Sequence, residues 1–187
     1  MLLISIAVIS LLSGALVCFG CDAFSTLNWF WLLPVTALGF FVLLAALGFL
    51  FVLYLCKRVD QTQPQEDDSR FYRIVANLII ESAFPVLRIH VKKSGIEKIP
   101  AAGRFMLVCN HCNNSDPIIL LRCLPKFQLA FISKQENSTM FVIGPMMHKL
   151  LCQLINREND REALKTILRC IQIIKEDKAS IGVFPEG

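Results

Sequence analysis

The first 56 residues contain no lysine and no arginine, and Asp22 is their single formal charge. All 19 basic residues lie in 57–187, together with the other 14 of the 15 acidic residues, so this second part has a net charge of +5. A basic domain joined to an almost uncharged segment indicates a membrane surface, a nucleic acid or a phosphorylated small molecule as partner.

The uncharged part consists of two long apolar runs, 1–20 and 28–56. Each run exceeds the roughly 18 residues that mark a candidate transmembrane helix, so we expect a transmembrane hairpin at 1–56. Lys57 and Arg58 directly follow the second run. Because positive charge flanking a membrane helix is retained in the cytoplasm, we expect an integral membrane protein whose remaining domain lies on the cytoplasmic face.

The first run also lacks the basic residues that open a secretory signal. This absence argues against cleavage of 1–20. The stretch "VCFGC" before Asp22 is loosely similar to a lipoprotein processing site, so the alternative of a removed first segment stays open. In either case the second run still crosses the membrane.

The eight cysteines have irregular spacing and do not form a disulfide framework. Cys109 and Cys112, with His111 between them, form one Cys-x-x-Cys pair, and the sequence has no second such pair. A structural zinc site needs four ligands. We therefore expect no metal, and burial at the end of an apolar strand explains Cys109.

Strand and helix patterns alternate through the second part of the chain. Strands are predicted at 87–91, 105–109, 127–133, 152–156 and 180–184, and helices at 71–84, 117–124, 138–150 and 159–177. The last helix is predicted to start in a capping box of Asn159 and Glu162 and to bury Leu164, Ile167, Leu168, Ile171 and Ile174. This alternation indicates an α/β domain with a largely parallel or mixed sheet flanked by helices, at 71–187 after a polar linker at 57–70.

His111 and Asp116 lie between a predicted strand and the next helix. Asp116 is expected to cap that helix, with Pro117 as its first residue. The carboxylate could also bond one nitrogen of the imidazole, leaving the other nitrogen to accept a proton from a hydroxyl. A loop that only caps a helix remains the alternative reading of this pair.

Several stretches match motifs of a known family. "GIEKIP" matches its Gly-x-Glu-x-x-Pro lead-in, and "NHCNNSD" matches Asn-His, four residues and Asp. "LCQLINR" matches a second motif partly, because Leu151 and Leu154 replace its Gly and Phe, and "FPEG" at 184–187 matches a third. Over 86–187 the chain therefore resembles the glycerolipid acyltransferase family, whose best-known members are the 1-acyl-sn-glycerol-3-phosphate acyltransferases.

The resemblance implies an O-acyltransferase that moves a fatty acyl group from a thioester to a lyso-phospholipid hydroxyl. His111 would be the general base and Asp116 its orienting carboxylate. Arg157 would bind the acceptor phosphate and Lys134 would assist it. The acceptor site would also be shaped by Phe184, Pro185, Glu186 and Gly187.

The implied partners are a membrane, a lyso-phospholipid such as lysophosphatidic acid, and acyl-CoA or acyl carrier protein as co-substrate, with no cofactor and no nucleic acid. The family's third motif continues beyond Gly187 and a fourth follows, so we expect this sequence to be C-terminally truncated. The alternative function is a non-catalytic module with a truncated acyltransferase fold that binds lipid or shapes a bilayer.

Overall fold

The computed structural model of the chain describes residues 2–25 and 29–185. The chain divides into two compact units, Met1–Leu55 and Cys56–Gly187. Each unit is described by itself.

The first unit contains two long apolar helices, α1 (Leu2–Gly20) and α2, which starts at Trp29 and ends at Lys57. Small residues let them approach closely, since a Cβ at Gly14 would lie 3.0 Å from Thr36 Oγ1 and 3.1 Å from the Ala37 nitrogen. Close packing through small residues is typical of paired membrane helices. Both helices are long and apolar enough to cross a membrane.

The second unit is an α/β domain. Its helices are α3 (Arg70–Val86), α4 (Asp116–Cys123), α5 (Ile143–Lys149) and α6 (Asp160–Lys175). Its strands are β1 (Met106–Val108), β2 (Leu129–Lys134), β3 (Gln153–Ile155) and β4 (Ser180–Val183). Short 3-10 turns lie at Ile96–Lys98, Pro125–Phe127 and Gln135–Thr139.

The four strands form one parallel sheet in the order β1-β4-β2-β3. This arrangement confirms the predicted α/β class and parallel sheet. Because the strands are parallel, their carboxyl ends share one edge, where ligands bind in folds of this type. His111, Lys134, Arg157 and Phe184 all lie at or just after these strand ends.

Alternate residues of β2 enter two different cores on the two faces of the sheet. Ala130 packs with Ile181 of β4 and with Cys170 and Ile173 of α6. Phe131 packs on the other face, which α3, α4 and α5 cover. The candidate site lies on this second face.

A buried ion pair joins α3 to the linker before it, and a hydrogen bond from the same arginine joins α3 to the sheet. Arg73 is 7% exposed, and its guanidinium donates hydrogen bonds to Asp68 Oδ2 and Oδ1, both at 2.7 Å, and to the Leu129 carbonyl at 3.0 Å. A guanidinium suits this role because its fork can satisfy two carboxylate oxygens at once. The face of α3 that packs on the domain consists of Arg73, Ala76, Ile80 and Phe84, whereas Phe71, Ile74, Leu78 and Ile79 are exposed.

The strand predicted at 87–91 is absent from the structure. Leu87 and Arg88 form a turn after α3, and residues 89–95 have no regular secondary structure. Arg88 has a φ of 53°, which reverses the chain direction at the helix end, where the Ile89 N–H bonds the Phe84 carbonyl at 3.0 Å. The alternating pattern does not mark a buried face, because Leu87 and Val91 are exposed.

The predicted buried stripe of α6 is also wrong. Cys170 and Ile173 face the sheet, and Ile174 packs against this core. The rest of the predicted stripe is exposed: Leu164, Ile167, Leu168 and Ile171. The reason is that α6 packs on β3 and β4. The neighbouring strand β1 is also exposed, since Val108 is 61% exposed.

The helix starts differ in detail from the predicted caps. Asn159 caps α6 as predicted, accepting from the N–H groups of Arg161 and Glu162. Glu162 does not complete a capping box, because its carboxylate accepts from the Asn156 amide. Ser115 holds the N-cap position of α4, and Asp116 is the first residue of that helix.

Candidate active site

Asp116 occupies the centre of a tight loop between β1 and α4. Its Oδ2 atom accepts the backbone N–H groups of Cys112 and Asn113, both at 2.8 Å, and lies 3.1 Å from Nδ1 of His111. The hydrogen bond from Asn113, with those from Cys112 and His111, lowers the pKa of this carboxyl below its usual range. Asp116 is therefore a carboxylate at neutral pH.

The ionised carboxylate fixes the state of the imidazole. Because Asp116 can only accept, Nδ1 of His111 carries the proton in the hydrogen bond, and Nε2 has an available lone pair. Within residues 2–25 and 29–185 no hydrogen bond to Nε2 is present. The two side chains are 23% and 22% exposed. A neutral imidazole in this state can accept a proton from a hydroxyl group.

Phe184 lies against the face of the imidazole. The two ring centroids are 4.6 Å apart, with the ring planes inclined at 35°. The backbone brings these rings together because β1 and β4 are neighbouring strands. Just after β1 ends, the Cys109 N–H still donates to the Val183 carbonyl of β4 at 3.0 Å.

A cavity of about 520 Å³ opens beside this pair of rings. His111 and Phe184 line it. Its other polar lining residues are Asn114, Ser133, Lys134, Asn137 and Arg157. Most of the remaining wall is apolar and comes from α3, α5 and β2, including Ile79, Ile80, Ile143, Met146, Met147 and Phe131.

Lys134 and Arg157 bring positive charge to the same cavity. Lys134 is the last residue of β2 and pairs with Ile155, two residues before Arg157. Both side chains are exposed. The sequence predicted these two residues as an anion site, and the fold brings both to the cavity that His111 lines.

The remaining predicted site residues lie at the end of the chain. Pro185 is exposed and is not among the cavity-lining residues. Glu186 and Gly187 lie outside the described residues. Phe184 is thus the member of the predicted "FPEG" group that lines the cavity.

Sequence reasoning missed the apolar wall of the cavity. Ile79 and Ile80 lie in the helix predicted at 71–84, and their spacing gives no sign that this helix closes a cavity. The paired Met146 and Met147 carry a clearer signal, because flexible methionine side chains are common in adaptable binding surfaces. Gly144 allows the close entry of α5, since a Cβ there would lie 2.0 Å from the Ser138 carbonyl oxygen.

The cysteines beside His111 do not assemble a metal site in the part of the chain that the structure describes. The backbone N–H of Cys112 is bonded to Asp116. Burial raises the pKa of the Cys109 thiol, with a smaller contribution from the negative charge of Asp116. A thiol in this state is a poor metal ligand, because metals bind the thiolate.

Comparisons with known proteins agree on one family. The family model described as Acyltransferase matches residues 90–187. A probable 1-acyl-sn-glycerol-3-phosphate acyltransferase of Mycoplasma pneumoniae is 28% identical over 128 residues, which are 66% of this chain and 45% of that protein. The 1-acyl-sn-glycerol-3-phosphate acyltransferase of Bacillus subtilis is 28% identical over 116 residues, 62% of this chain and 56% of that protein.

The chain spans about half the length of the curated relatives that it matches. The matched family region includes His111, Asp116, Lys134 and Arg157. No solved structure shows significant similarity to the chain.

Proposed function

Because the chain belongs to the acyltransferase family, we propose that the protein moves a fatty acyl group from an acyl thioester to the free hydroxyl of lysophosphatidic acid or a related lyso-phospholipid. One observation carries this proposal: His111, which is hydrogen-bonded to Asp116, lines the same cavity as the two cations Lys134 and Arg157. The relatives' names support lysophosphatidic acid as the first acceptor to test.

The proposed reaction begins at Nε2 of His111. This nitrogen takes the proton of the acceptor hydroxyl as its oxygen attacks the thioester carbonyl, and a new C–O bond forms. The tetrahedral oxyanion then collapses, the C–S bond breaks, and the imidazolium returns the proton to the departing thiolate. The negative charge of Asp116 stabilises the imidazolium between these two steps.

Arg157 and Lys134 are the proposed anchors of the acceptor phosphate. A guanidinium can bind two phosphate oxygens at once, and a lysine adds a flexible point charge. Their position in the same cavity as His111 supports this role, because an acceptor held by its phosphate would present its hydroxyl to the imidazole. The apolar wall of α3 and α5 suits a fatty acyl chain.

The segment 184–187, which the sequence predicts as a turn, is the proposed boundary of the acceptor site. Phe184 already contacts His111, and backbone N–H groups of a turn can donate to an anion. Glu186 would repel a phosphate, so its proposed role is to hold an arginine or a backbone group in place. The donor is acyl-CoA or acyl carrier protein.

The proposed organisation follows the three segments: a transmembrane hairpin at 1–56, a linker at 57–70 and the acyltransferase domain from 71. The close packing at Gly14 supports the hairpin. Lys57 and Arg58 support a cytoplasmic position for the domain. Such an anchored domain would meet amphiphilic acceptor and product at the membrane surface without extracting them.

The test is an assay of membranes from cells that express the protein. Labelled oleoyl-CoA or oleoyl-acyl carrier protein is supplied with lysophosphatidic acid, glycerol 3-phosphate or another lyso-phospholipid. We expect phosphatidic acid from lysophosphatidic acid, and a loss of about 10²–10⁴-fold in kcat for His111→Ala, the usual contribution of a general base.

His90→Ala is the matched control, because His90 is exposed and outside the cavity. Near-normal turnover by His111→Ala would remove His111 from the base role. Lipid binding without transfer to any acceptor would instead favour the non-catalytic alternative.

A further inference from the structure

We infer that Phe131 and Gly182 are positioning residues for His111: together they support the ring of Phe184, which sets the plane of the imidazole. The inference rests on the proposed function of His111 as a base. It concerns residues that lie outside the motifs of the family resemblance.

Gly182 creates the space that this arrangement needs. It pairs directly with Phe131 in the neighbouring strand, and a Cβ at Gly182 would lie 2.5 Å from Cε1 and 2.6 Å from Cδ1 of that ring. Its φ is outside the left-handed region, so the backbone does not require glycine here. The absence of a side chain lets the Phe131 ring lie across β4.

The Phe131 ring then supports Phe184. Gly182 and Phe184 are two residues apart, so they share one face of the sheet. The rings of Phe131 and Phe184 are almost parallel, at 12°, with centroids 5.8 Å apart. Phe184 in turn lies 4.6 Å from the imidazole of His111. The series Gly182, Phe131, Phe184 and His111 is therefore continuous from the core to the reacting nitrogen.

This support restricts a motion that Asp116 leaves free. One hydrogen bond at Nδ1 fixes a single atom of the imidazole, and the ring can still tilt about it. Contact with the flat face of Phe184 limits that tilt and so determines where Nε2 points. Small errors in the direction of a catalytic group can cost about 100-fold in rate.

The test compares Phe131→Leu and Gly182→Ala with Leu124→Val. Leu124 belongs to the same core cluster as Phe131 and does not line the cavity, so it controls for general loss of packing. We expect kcat to fall about tenfold or more in the first two variants, with the acceptor KM unchanged within about twofold. Leu124→Val should retain kcat at a comparable loss of Tm.

The double variant separates positioning from damage. If Gly182→Ala acts by displacing the Phe131 ring, it should add little to Phe131→Leu, and the effects on kcat should not multiply. Phe131→Tyr, which keeps the flat ring, should recover most of the rate. Multiplying effects, or an equal kcat loss in Leu124→Val, would overturn the inference.

A second measurement does not depend on activity. In protein with labelled histidine in detergent, the ring C–H signals of His111, assigned with His111→Gln, should shift in Phe131→Leu because the ring current of Phe184 moves. Unchanged signals would overturn the positioning role even if the protein transfers no acyl group. Failure of the proposed function alone would leave this shift in place.

Discussion

Replacing Asp116 with asparagine removes the charge beside His111 and keeps the shape of the loop. The asparagine oxygen can still accept the N–H groups of Cys112 and Asn113, so the fold of the loop should survive. The variant loses the negative charge that stabilises the imidazolium. All three contacts of the loop meet at Oδ2 of Asp116, so an oxygen in that position still accepts from Nδ1 of His111.

The expected loss follows from the contact itself. The 3.1 Å hydrogen bond between Asp116 and His111 becomes charge-assisted when the imidazole is protonated, and such a bond contributes about 1.5–3 kcal/mol. At about 1.4 kcal/mol per tenfold, losing it slows the reaction by about 10- to 150-fold. We therefore expect kcat of Asp116→Asn to fall by about 10- to 150-fold.

The assay follows release of the free thiol from acyl-CoA in the presence of lysophosphatidic acid. Asp160→Asn is the matched control, because Asp160 also opens a helix but is exposed and away from the cavity. The low pKa of Asp116 keeps its carboxylate ionised at neutral pH, so the wild type and Asp116→Asn differ by one full negative charge in the assay. A variant within about threefold of the wild type would refute the reasoning.

Two further predictions concern the cavity and its supporting helix. Arg157→Ala should raise the apparent acceptor KM by about tenfold or more, the value of one charge-assisted phosphate contact, with little change in the donor KM. The control Arg161→Ala, at the exposed start of α6, should change neither KM. An unaltered acceptor KM in Arg157→Ala would exclude phosphate binding by Arg157. His148 has a pKa held below 6.5 by burial and by the nearby charge of Lys149, so the unfolded chain takes up the proton first and stability is lost as pH falls below 6.5. Thermal unfolding of His148→Gln should show a weaker loss between pH 7.5 and pH 5.5, roughly the range around that value, and equal slopes for both proteins would contradict the assignment.

Much of the site could be predicted because its residues follow short apolar strands. The runs that form β2 and β4 are largely buried as expected, whereas Met106 and Val108 of β1 are exposed. Strand ends in a parallel sheet converge on one edge. The order of those strands could not be read from the chain. That Phe184 contacts His111 depends on β4 lying beside β1, which no local pattern encodes.

The errors have a common physical origin. Periodicity reports which residues share a face of an element and says nothing about what that face meets. The alternation at 87–91 meets no strand partner, and the apolar stripe at Leu164 and Leu168 extends past the part of the sheet that α6 covers. Of the two roles expected for Asp116, the structure shows the contact with His111, while Ser115 takes the N-cap position of α4.

The exposed surface of β1 and α6 bears on where a helix would lie if a further strand paired with β1. The chain moves from β1 to β2 with α4 on one face of the sheet, and it returns from β3 to β4 with α6 on the other face. The two crossover connections therefore have the same handedness. Such connections are right-handed in nearly all proteins. A strand that left β4 to pair with the open side of β1 would therefore carry its connecting helix over Val108 and the α6 stripe. Among the described residues, Val108, Leu164 and Leu168 are exposed on that surface, and a right-handed connection would place its helix over them.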